Sequence, residues 1–216
     1  MSCIALAAFD LDNTLVKGNS SFQFGKHLYK HRQIPFFTMV QLVGNYFFYK
    51  TGVLTIPEMQ NAIFQKFFLG KNSSLIQERA CEFVEEHFDS ILYQPALQRL
   101  KESQQAGHHT VILSSSPSFI VEPFAKRLNV NAWAATRYQV ENGSFSGISQ
   151  FMLSDDKADY VIHLAEQLKI SKQQIIVYSD SHEDCSFLSV AGQPVAVNPS
   201  RALRKICKHN NWTVLQ

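Results

Sequence analysis

The stretch that decides the fold is Ile4–Leu15, which reads IALAAFDLDNTL. Six apolar residues, Ile4–Phe9, are followed directly by Asp10, and Asp12 comes two positions later. A short, uninterrupted apolar run is typical of a strand that is buried on both faces of a parallel sheet. We therefore predict a central strand that carries functional carboxylates at its C-terminal end.

Similar buried runs recur along the chain and also end in polar residues. Thr110–Leu113 precedes Ser114, and Gln174–Tyr178 leads to Asp180. Helical patterns alternate with these runs, which predicts an α/β fold with a doubly wound, mostly parallel sheet. Ligands of such sheets bind beyond the carboxyl ends of the strands, so side chains that are distant in sequence should meet there.

The region between the first two strands lacks strand signals. Its pattern is helical, and Thr55-Ile56-Pro57-Glu58 reads as a capping box. We predict that residues 1–17 and 91–216 form the α/β core and that residues 18–90 form an inserted, all-helical cap. Downstream, Ser116 before Pro117 predicts a helix N-cap, and Asn142-Gly143 predicts a β-hairpin turn.

The composition excludes several classes of function. The 216 residues carry a net charge of +2 without a long basic run, so a nucleic-acid surface is not indicated. Four cysteines, Cys3 among them, lack C-x-x-C spacing, which argues against a zinc site or a disulfide framework. The apolar start is a poor signal peptide, so we expect a cytoplasmic protein. Nucleotide-binding glycine motifs are absent, and Ser114 lacks the G-x-S-x-G context of a serine hydrolase.

One segment raises the question of membrane contact. Gln33–Tyr49 has no charged residue and several phenylalanines. It falls short of the ~20 apolar residues that a spanning helix needs. We interpret it as a buried or cap helix, and an interfacial helix facing lipid is the alternative.

Acidic side chains dominate the predicted strand ends. Asp10, Asp12, Asp180 and Asp184 would repel one another unless a cation lay among them, and oxygen ligands favour Mg²⁺. A hydroxyl such as that of Ser114 and an ammonium such as that of Lys157 would suit the oxygens of a phosphoryl group. An ionised aspartate can also act as a nucleophile and form an aspartyl-phosphate.

Four motifs in register carry a family resemblance. Phe9–Leu15 matches D-x-D-x-T, Ile112–Ser114 is a hydrophobic strand ending in a hydroxyl, and Lys157 occupies the place of a third-motif lysine. Ser179–Asp184 resembles G-D-S-x-x-D, with Ser179 in place of glycine. Together they resemble the haloacid dehalogenase superfamily of hydrolases, specifically subfamily IB and its phosphoserine-phosphatase-like branch.

The resemblance implies a role for each motif residue. Asp10 is the expected nucleophile and a Mg²⁺ ligand, and Asp12 is the expected general acid and base. The backbone carbonyl of Asp12 and the side chain of Asp180 complete the expected metal ligands. Ser114 and Lys157 would hold the phosphoryl oxygens.

The expected function is Mg²⁺-dependent hydrolysis of a small phosphate monoester. Asp184 would orient the metal shell from outside. Asn19 is a possible substrate contact and stands where phosphoserine phosphatases have a glutamate. Those enzymes also bind their substrate through a cap arginine, for which only Arg32 and Arg79 are candidates here. The resemblance therefore gives little support to phosphoserine as the substrate. Alternatives are a phosphatase of a lipid-linked phosphate, a phosphotransferase and an inactive binding protein of the same fold.

Overall fold

The computed structural model describes residues 5–216, apart from the side chain of Lys50. Seven strands form one sheet: β1 Leu6–Phe9, β2 His109–Pro117, β3 Ala132–Glu141, β4 Ser144–Gln150, β5 Ile175–Ser179, β6 Gln193–Val197 and β7 Thr213–Leu215. The helices are α1 Ser20–Lys30, α2 Phe36–Lys50, α3 Ile56–Phe67, α4 Ser73–Ile91, α5 Gln94–Gln105, α6 Ser118–Arg127, α7 Ser154–Leu168, α8 Cys185–Ser189 and α9 Arg201–Asn210. Short 3₁₀ turns span Lys172–Gln174 and His182–Asp184.

The sheet has the order β4-β3-β2-β1-β5-β6-β7, and only β4 runs antiparallel to its neighbour. Strand β1 lies at the centre, where Phe9 pairs with Ile112 on one side and Tyr178 on the other. Neighbouring parallel strands lie about 4.8 Å apart, so the residues that follow Phe9 and Tyr178 are close in space. The predicted α/β fold with a mostly parallel sheet is confirmed.

Both faces of the sheet are covered by helices, which explains why the central strands are apolar throughout. Alternate residues such as Phe9 and Ile112 pack against α5 and α6. The intervening residues, such as Leu6 and Val111, pack against α7, α8 and α9. Successive side chains of a strand point to opposite faces, so a strand buried on both faces needs apolar residues at every position.

Helices α1–α4 fill the chain between β1 and α5. The predicted capping box starts α3, because Thr55 accepts from the backbone of Glu58 and Glu58 accepts from the backbone of Thr55. Helices α1, α3 and α4 contribute to the same apolar cluster as the sheet, through residues such as Phe24 and Phe83, whose ring centroids lie 5.8 Å apart. This segment therefore shares its hydrophobic core with the α/β part of the chain.

Helix α2 is the most exposed of the four. Phe36, Phe37 and Phe47 are 63%, 79% and 62% exposed, so the interpretation of this segment as a buried helix is wrong for its outer face. Helix α2 packs against α1 and α3. Among residues 5–216, none of the helices has the length and hydropathy of a membrane-spanning segment.

Several boundaries differ from the sequence predictions. Strand β2 continues to Pro117, and α6 begins at Ser118 without a side-chain cap, so the predicted N-cap at Ser116 is wrong. Strand β7 was not predicted. The hairpin is confirmed, with positive φ at both Asn142 and Gly143, the combination that a type I′ turn requires. Cys3 and Ile4 lie outside the described residues.

Candidate active site

The predicted site residues gather beyond the carboxyl ends of β1, β2 and β5. The backbone N–H of Asp10 donates to the carbonyl of Tyr178 at 2.9 Å, which ties the end of β1 to β5. Helices α5 and α6 cover one face of the sheet, and helices α7–α9 cover the other. Strand β1 lies at the position in the strand order where the chain changes from one face to the other. This is the topological switch point at which open α/β sheets bind ligands.

A buried lysine joins two of the carboxylates. Lys157 Nζ donates to Asp10 Oδ1 at 2.8 Å and to the two oxygens of Asp184 at 3.0 and 2.9 Å. Lys157 is only 2% exposed, and both of its partners are buried. Lys157 lies in the first turn of α7. The start of this helix is fixed by a hydrogen bond from the backbone N–H of Leu153 to the side chain of Asp156.

Burial and charge act in opposite directions on this pair. Burial raises the pKa of Asp10 well above its ordinary value, Lys157 opposes that effect, and the charges of the neighbouring aspartates reinforce it. Burial alone would lower the pKa of Lys157, but the attraction of Asp10 and Asp184 outweighs it and raises the pKa. The raised pKa keeps the lysine charged at neutral pH, whereas the raised pKa of Asp10 favours its neutral form.

Asp12 is held by a separate group of donors. Its Oδ1 accepts from the backbone N–H of Ser20, the first residue of α1. Its Oδ2 accepts from Ser116 Oγ at 2.6 Å and from Ser114 Oγ at 3.4 Å. A carboxylate at a helix N-terminus is stabilised by the free N–H groups and the helix dipole. These contacts fix the orientation of Asp12 while leaving it beside Asp10.

Ser179, which replaces the glycine of the fourth motif, contacts Asp184. Its fully buried hydroxyl donates to Asp184 Oδ2 at 2.7 Å. Asp184 therefore accepts from both Ser179 and Lys157, and together they fix its carboxylate. The extra side chain is directed at Asp184, where it adds a buried hydrogen bond to a charged group.

Asp180 is the most exposed of the four aspartates, with intermediate burial. Its backbone carbonyl accepts from the N–H of Ser200 at 3.1 Å. Asp180 follows β5, the strand beside β1, and its charge contributes to the raised pKa of Asp10. The structure therefore brings together all six predicted core-site residues: Asp10, Asp12, Ser114, Lys157, Asp180 and Asp184.

The donor set fits a hard divalent cation. Among the described residues, the site holds four carboxylates and the ammonium of Lys157, which contacts Asp10 and Asp184, so its net charge is about −3 when all of them are ionised. A Mg²⁺ ion would offset most of this excess and would favour the ionised form of Asp10. Asp10, the backbone carbonyl of Asp12 and Asp180 are the residues that would hold it.

An apolar cavity of about 490 Å³ lies among helices α1–α4 and reaches Ser116, which contacts Asp12. Ser115 and Ser116 line one end, and the remaining wall is mainly aromatic and aliphatic: Phe22, Phe24, Leu28, Leu42, Tyr46, Ile63, Phe67, Phe68, Ile120 and Tyr138. Gln60 also lines this cavity. Its Nε2 donates to the Ser115 carbonyl at 2.6 Å, which fixes the amide, and its buried Oε1 has no hydrogen-bond partner among the described residues.

Two residues that the sequence suggests as substrate contacts line the cavity, but their polar groups are already engaged within the protein. Asn19 lines the cavity, but its side-chain oxygen already accepts from the Phe22 backbone at 2.8 Å and caps α1. Arg79 also lines the cavity, and its guanidinium is paired with Glu82 at 2.6 Å. Both side chains therefore have structural partners of their own.

Helix α2 also contacts the loop that carries Asp184. The Tyr49 hydroxyl donates to Glu183 Oε2, and burial together with this contact raises the pKa of Tyr49. Sequence reasoning did not find Tyr49, Gln60 or the role of Ser116. No local motif marks these residues, because each of their contacts joins segments that are at least 55 positions apart.

Comparison with known proteins agrees with this geometry. The profile of haloacid dehalogenase-like hydrolases matches residues 7–189. The chain is 30% identical over 222 residues to a histidinol-phosphatase from Neisseria meningitidis serogroup C (strain 8013), with 97% of each chain covered. A crystallised protein of unknown function from Bordetella pertussis Tohama I has a TM-score of 0.84 at 22% identity and covers 100% of this chain and 99% of its own. A phosphoserine phosphatase solved as a phospho-aspartyl intermediate analogue has a TM-score of 0.65 at 18% identity and covers 94% of this chain and 91% of its own.

Proposed function

Because the chain belongs to the haloacid dehalogenase-like hydrolase family, we propose that it is a Mg²⁺-dependent phosphatase that hydrolyses a small phosphate monoester. The observation that carries this proposal is the buried Lys157 bridge between Asp10 and Asp184, beside a carboxylate, Asp12, that α1 holds in place. Such an arrangement is suited to a transferring phosphoryl group, because one charge neutralises its oxygens and two carboxylates do the chemistry.

Asp10 would attack phosphorus and form an aspartyl-phosphate, while the bond from phosphorus to the leaving oxygen breaks. Asp12 would give its proton to that leaving oxygen and would then take a proton from the attacking water. The water oxygen would bond to phosphorus, the bond to Asp10 would break, and phosphate would leave. Lys157 and Ser114 would hold the phosphoryl oxygens through both steps. A bound Mg²⁺ supplies positive charge that offsets the repulsion between the carboxylate and the phosphate.

We assign residues 18–90 to a cap that selects the substrate. Helices α1, α3 and α4 are anchored in the common apolar core, so α2 is the part with the most freedom to move. The Tyr49–Glu183 contact would hold the end of α2 over the site. Closure of such an element excludes bulk water from a reactive acyl phosphate.

The cavity favours a leaving group with an apolar skeleton and a hydrogen-bond donor. Gln60 Oε1 is a buried acceptor without a protein partner, so a hydroxyl or ammonium group on the substrate would satisfy it. The paired state of Arg79 and the capping role of Asn19 disfavour an amino-acid carboxylate as the recognised group. Histidinol phosphate, an amino alcohol ester with an aromatic ring, is therefore the first substrate to test, in line with the similarity to the Neisseria enzyme.

The proposal is tested by a substrate screen with Mg²⁺ that covers phosphorylated amino alcohols, amino acids, sugars and nucleotides. Release of inorganic phosphate should require Mg²⁺, should be lost in Asp10→Asn, and should fall about 10²–10⁴-fold in Asp12→Asn. Asp155→Asn, an exposed aspartate of α7, is the matched control and should retain activity. Borohydride reduction during turnover should convert Asp10 to homoserine. Turnover that survives in Asp10→Asn would contradict the proposal.

A lipid-linked phosphate is the second candidate substrate. The exposed phenylalanines of α2 favour it, because Phe36, Phe37 and Phe47 would contact acyl chains at a bilayer surface. Flotation with phosphatidylglycerol vesicles distinguishes the two candidates. Binding to vesicles that Phe37→Ser weakens would support the lipid substrate, and a protein that stays unbound would favour the soluble ester.

A further inference from the structure

A second group of potential ligands lies away from the catalytic edge, between α1 and α4. His27 lies on α1, His31 caps its C-terminal end one helical turn later, and Glu86 extends from α4. His27 Nδ1 and His31 Nε2 each lie 3.7 Å from Glu86 Oε2. One ligand atom from each of these residues lies within 4.8 Å of the other two.

The buried member of the group lacks a partner. His27 is only 3% exposed, and its Nδ1 makes no hydrogen bond within the described part of the chain. The 3.7 Å separation from Glu86 is too long for a hydrogen bond. A buried polar atom without a partner lowers the stability of the fold by about 1–3 kcal/mol. A group bound between His27 and the two neighbouring ligand atoms would remove this penalty.

In the part of the chain that the structure describes, the rings around His27 give its Nδ1 no hydrogen-bond partner. The His31 and His87 rings lie 4.4 and 5.5 Å away between centroids, and the Phe83 ring lies 5.7 Å away. His87 Nδ1 is already in hydrogen-bond contact with the Phe83 carbonyl at 3.0 Å. Burial and the neighbouring His31 lower the pKa of His27, which keeps its imidazole in the neutral form that binds metals.

We propose that His27, His31 and Glu86 bind a Zn²⁺-class transition-metal ion that joins α1 to α4. Two imidazole nitrogens and one carboxylate oxygen form a ligand set that suits Zn²⁺ and leaves a fourth, tetrahedral position for water. Zn–N bonds of about 2.0–2.1 Å require ligand atoms roughly 3.3 Å apart, so the observed 3.7 Å needs shifts of only a few tenths of an ångström.

The site would act on catalysis through α1 and would take no part in the chemistry. The N–H of Ser20, at the start of α1, holds the carboxylate of Asp12, and the proposed metal site lies at the other end of the same helix. Fixing α1 against α4 would therefore restrict movement of the element that orients Asp12. The ion is distinct from the proposed Mg²⁺, because imidazole ligands suit transition metals and oxygen ligands suit Mg²⁺.

Zinc titration calorimetry on protein freed of transition metals tests this inference. The Asp10→Asn variant in excess Mg²⁺ is the parent, so that the catalytic carboxylates contribute little to zinc binding. We expect one equivalent of Zn²⁺ to bind, and His31→Ala and Glu86→Gln each to weaken binding by at least about 10-fold. At the same concentration, Zn²⁺ should raise the melting temperature of the parent more than that of these two variants.

Two controls keep the outcome interpretable. His163→Ala removes an exposed histidine that lies 3.7 Å from Glu166 without a second imidazole in the pair, and it should bind Zn²⁺ like the parent. His31 and Glu86 are 40% and 47% exposed, so their variants should melt near the parent temperature without Zn²⁺. Zinc binding that is absent from the parent, or unchanged in both variants, would overturn the inference. Neither result depends on whether the protein is a phosphatase.

Discussion

Replacing Lys157 by Met removes the one positive charge that the described structure places among the catalytic carboxylates. The ammonium makes three contacts of 2.8–3.0 Å with Asp10 and Asp184, and all three side chains are buried. Methionine has nearly the same length and apolar volume, so packing against neighbours such as Phe187 should change little. The variant therefore isolates the electrostatic contribution.

The size of the effect follows from burial. Removing one partner of a buried ion pair leaves an uncompensated charge and costs about 3–5 kcal/mol. For comparison, Lys126 forms an exposed pair with Glu122 at 2.8 Å, and such pairs contribute little to stability because solvent screens them. Lys126→Met is the matched control, since it makes the same substitution at a solvated position.

The cost should depend on pH with a defined sign. Lys157 has a raised pKa, so it stays charged throughout the neutral and acidic range and the wild type keeps its ammonium. The pKa of Asp10 is already raised by burial, and losing Lys157 raises it further. A carboxyl whose pKa is higher in the folded state than in the unfolded state lowers the stability of the protein as the pH rises. The loss develops between the unfolded-state pKa and the folded-state pKa. The destabilisation of Lys157→Met should therefore be largest at neutral pH and should shrink towards about pH 5.

Urea denaturation in the presence of EDTA, followed by circular dichroism at pH 7 and pH 5, measures both quantities. Added Mg²⁺ should restore part of the stability of Lys157→Met, because the ion replaces some of the lost positive charge. The reasoning is refuted if Lys157→Met lies within 1 kcal/mol of the wild type at pH 7. A cost that grows as the pH falls would refute it equally.

Three further substitutions test individual contacts. Tyr49→Phe removes the hydroxyl that contacts Glu183, and steady-state kinetics should show a higher KM with stability changed by less than about 1 kcal/mol, whereas unchanged kinetics would argue against a role in closure. Ser179→Ala removes the 2.7 Å hydrogen bond to Asp184; thermal or urea unfolding should show a loss of about 1.5–3 kcal/mol, and Mg²⁺ titration should show roughly 10-fold weaker binding. Gln60→Leu should raise KM for amino alcohol phosphates more than for an aryl phosphate, and an equal effect on both would remove Gln60 from substrate recognition.

The α/β class and the position of the site residues at the strand ends were predictable because they depend on local pattern. Six apolar residues followed by Asp10 indicate a strand that is buried on both faces of the sheet. Parallel strands align their carboxyl ends, so the residues that follow them lie at one edge. The capping box at Thr55 and the Asn142-Gly143 turn were correct for the same reason, since each is completed within four residues.

The prediction at Ser116 failed because a long-range partner competes with a local one. A serine before a proline and a helix is a good N-cap in isolation. In the folded chain its hydroxyl donates to Asp12 at 2.6 Å, and β2 continues through it to Pro117. A hydrogen bond to a charged group outweighs a cap to a neutral backbone N–H, so the helix begins one residue later than the proline.

The sequence by itself determined the α/β class, the central strand and the identity of the acidic, hydroxyl and lysine side chains at its end. Tertiary structure alone decided which of them touch: that Lys157 bridges Asp10 and Asp184, that α1 holds Asp12, and that Gln60 faces an apolar cavity. Strand and turn signals are local in the chain. The contacts of Lys157 span 27 and 147 positions, and they are set by how the helices pack on the sheet, which the spacing of the residues does not encode.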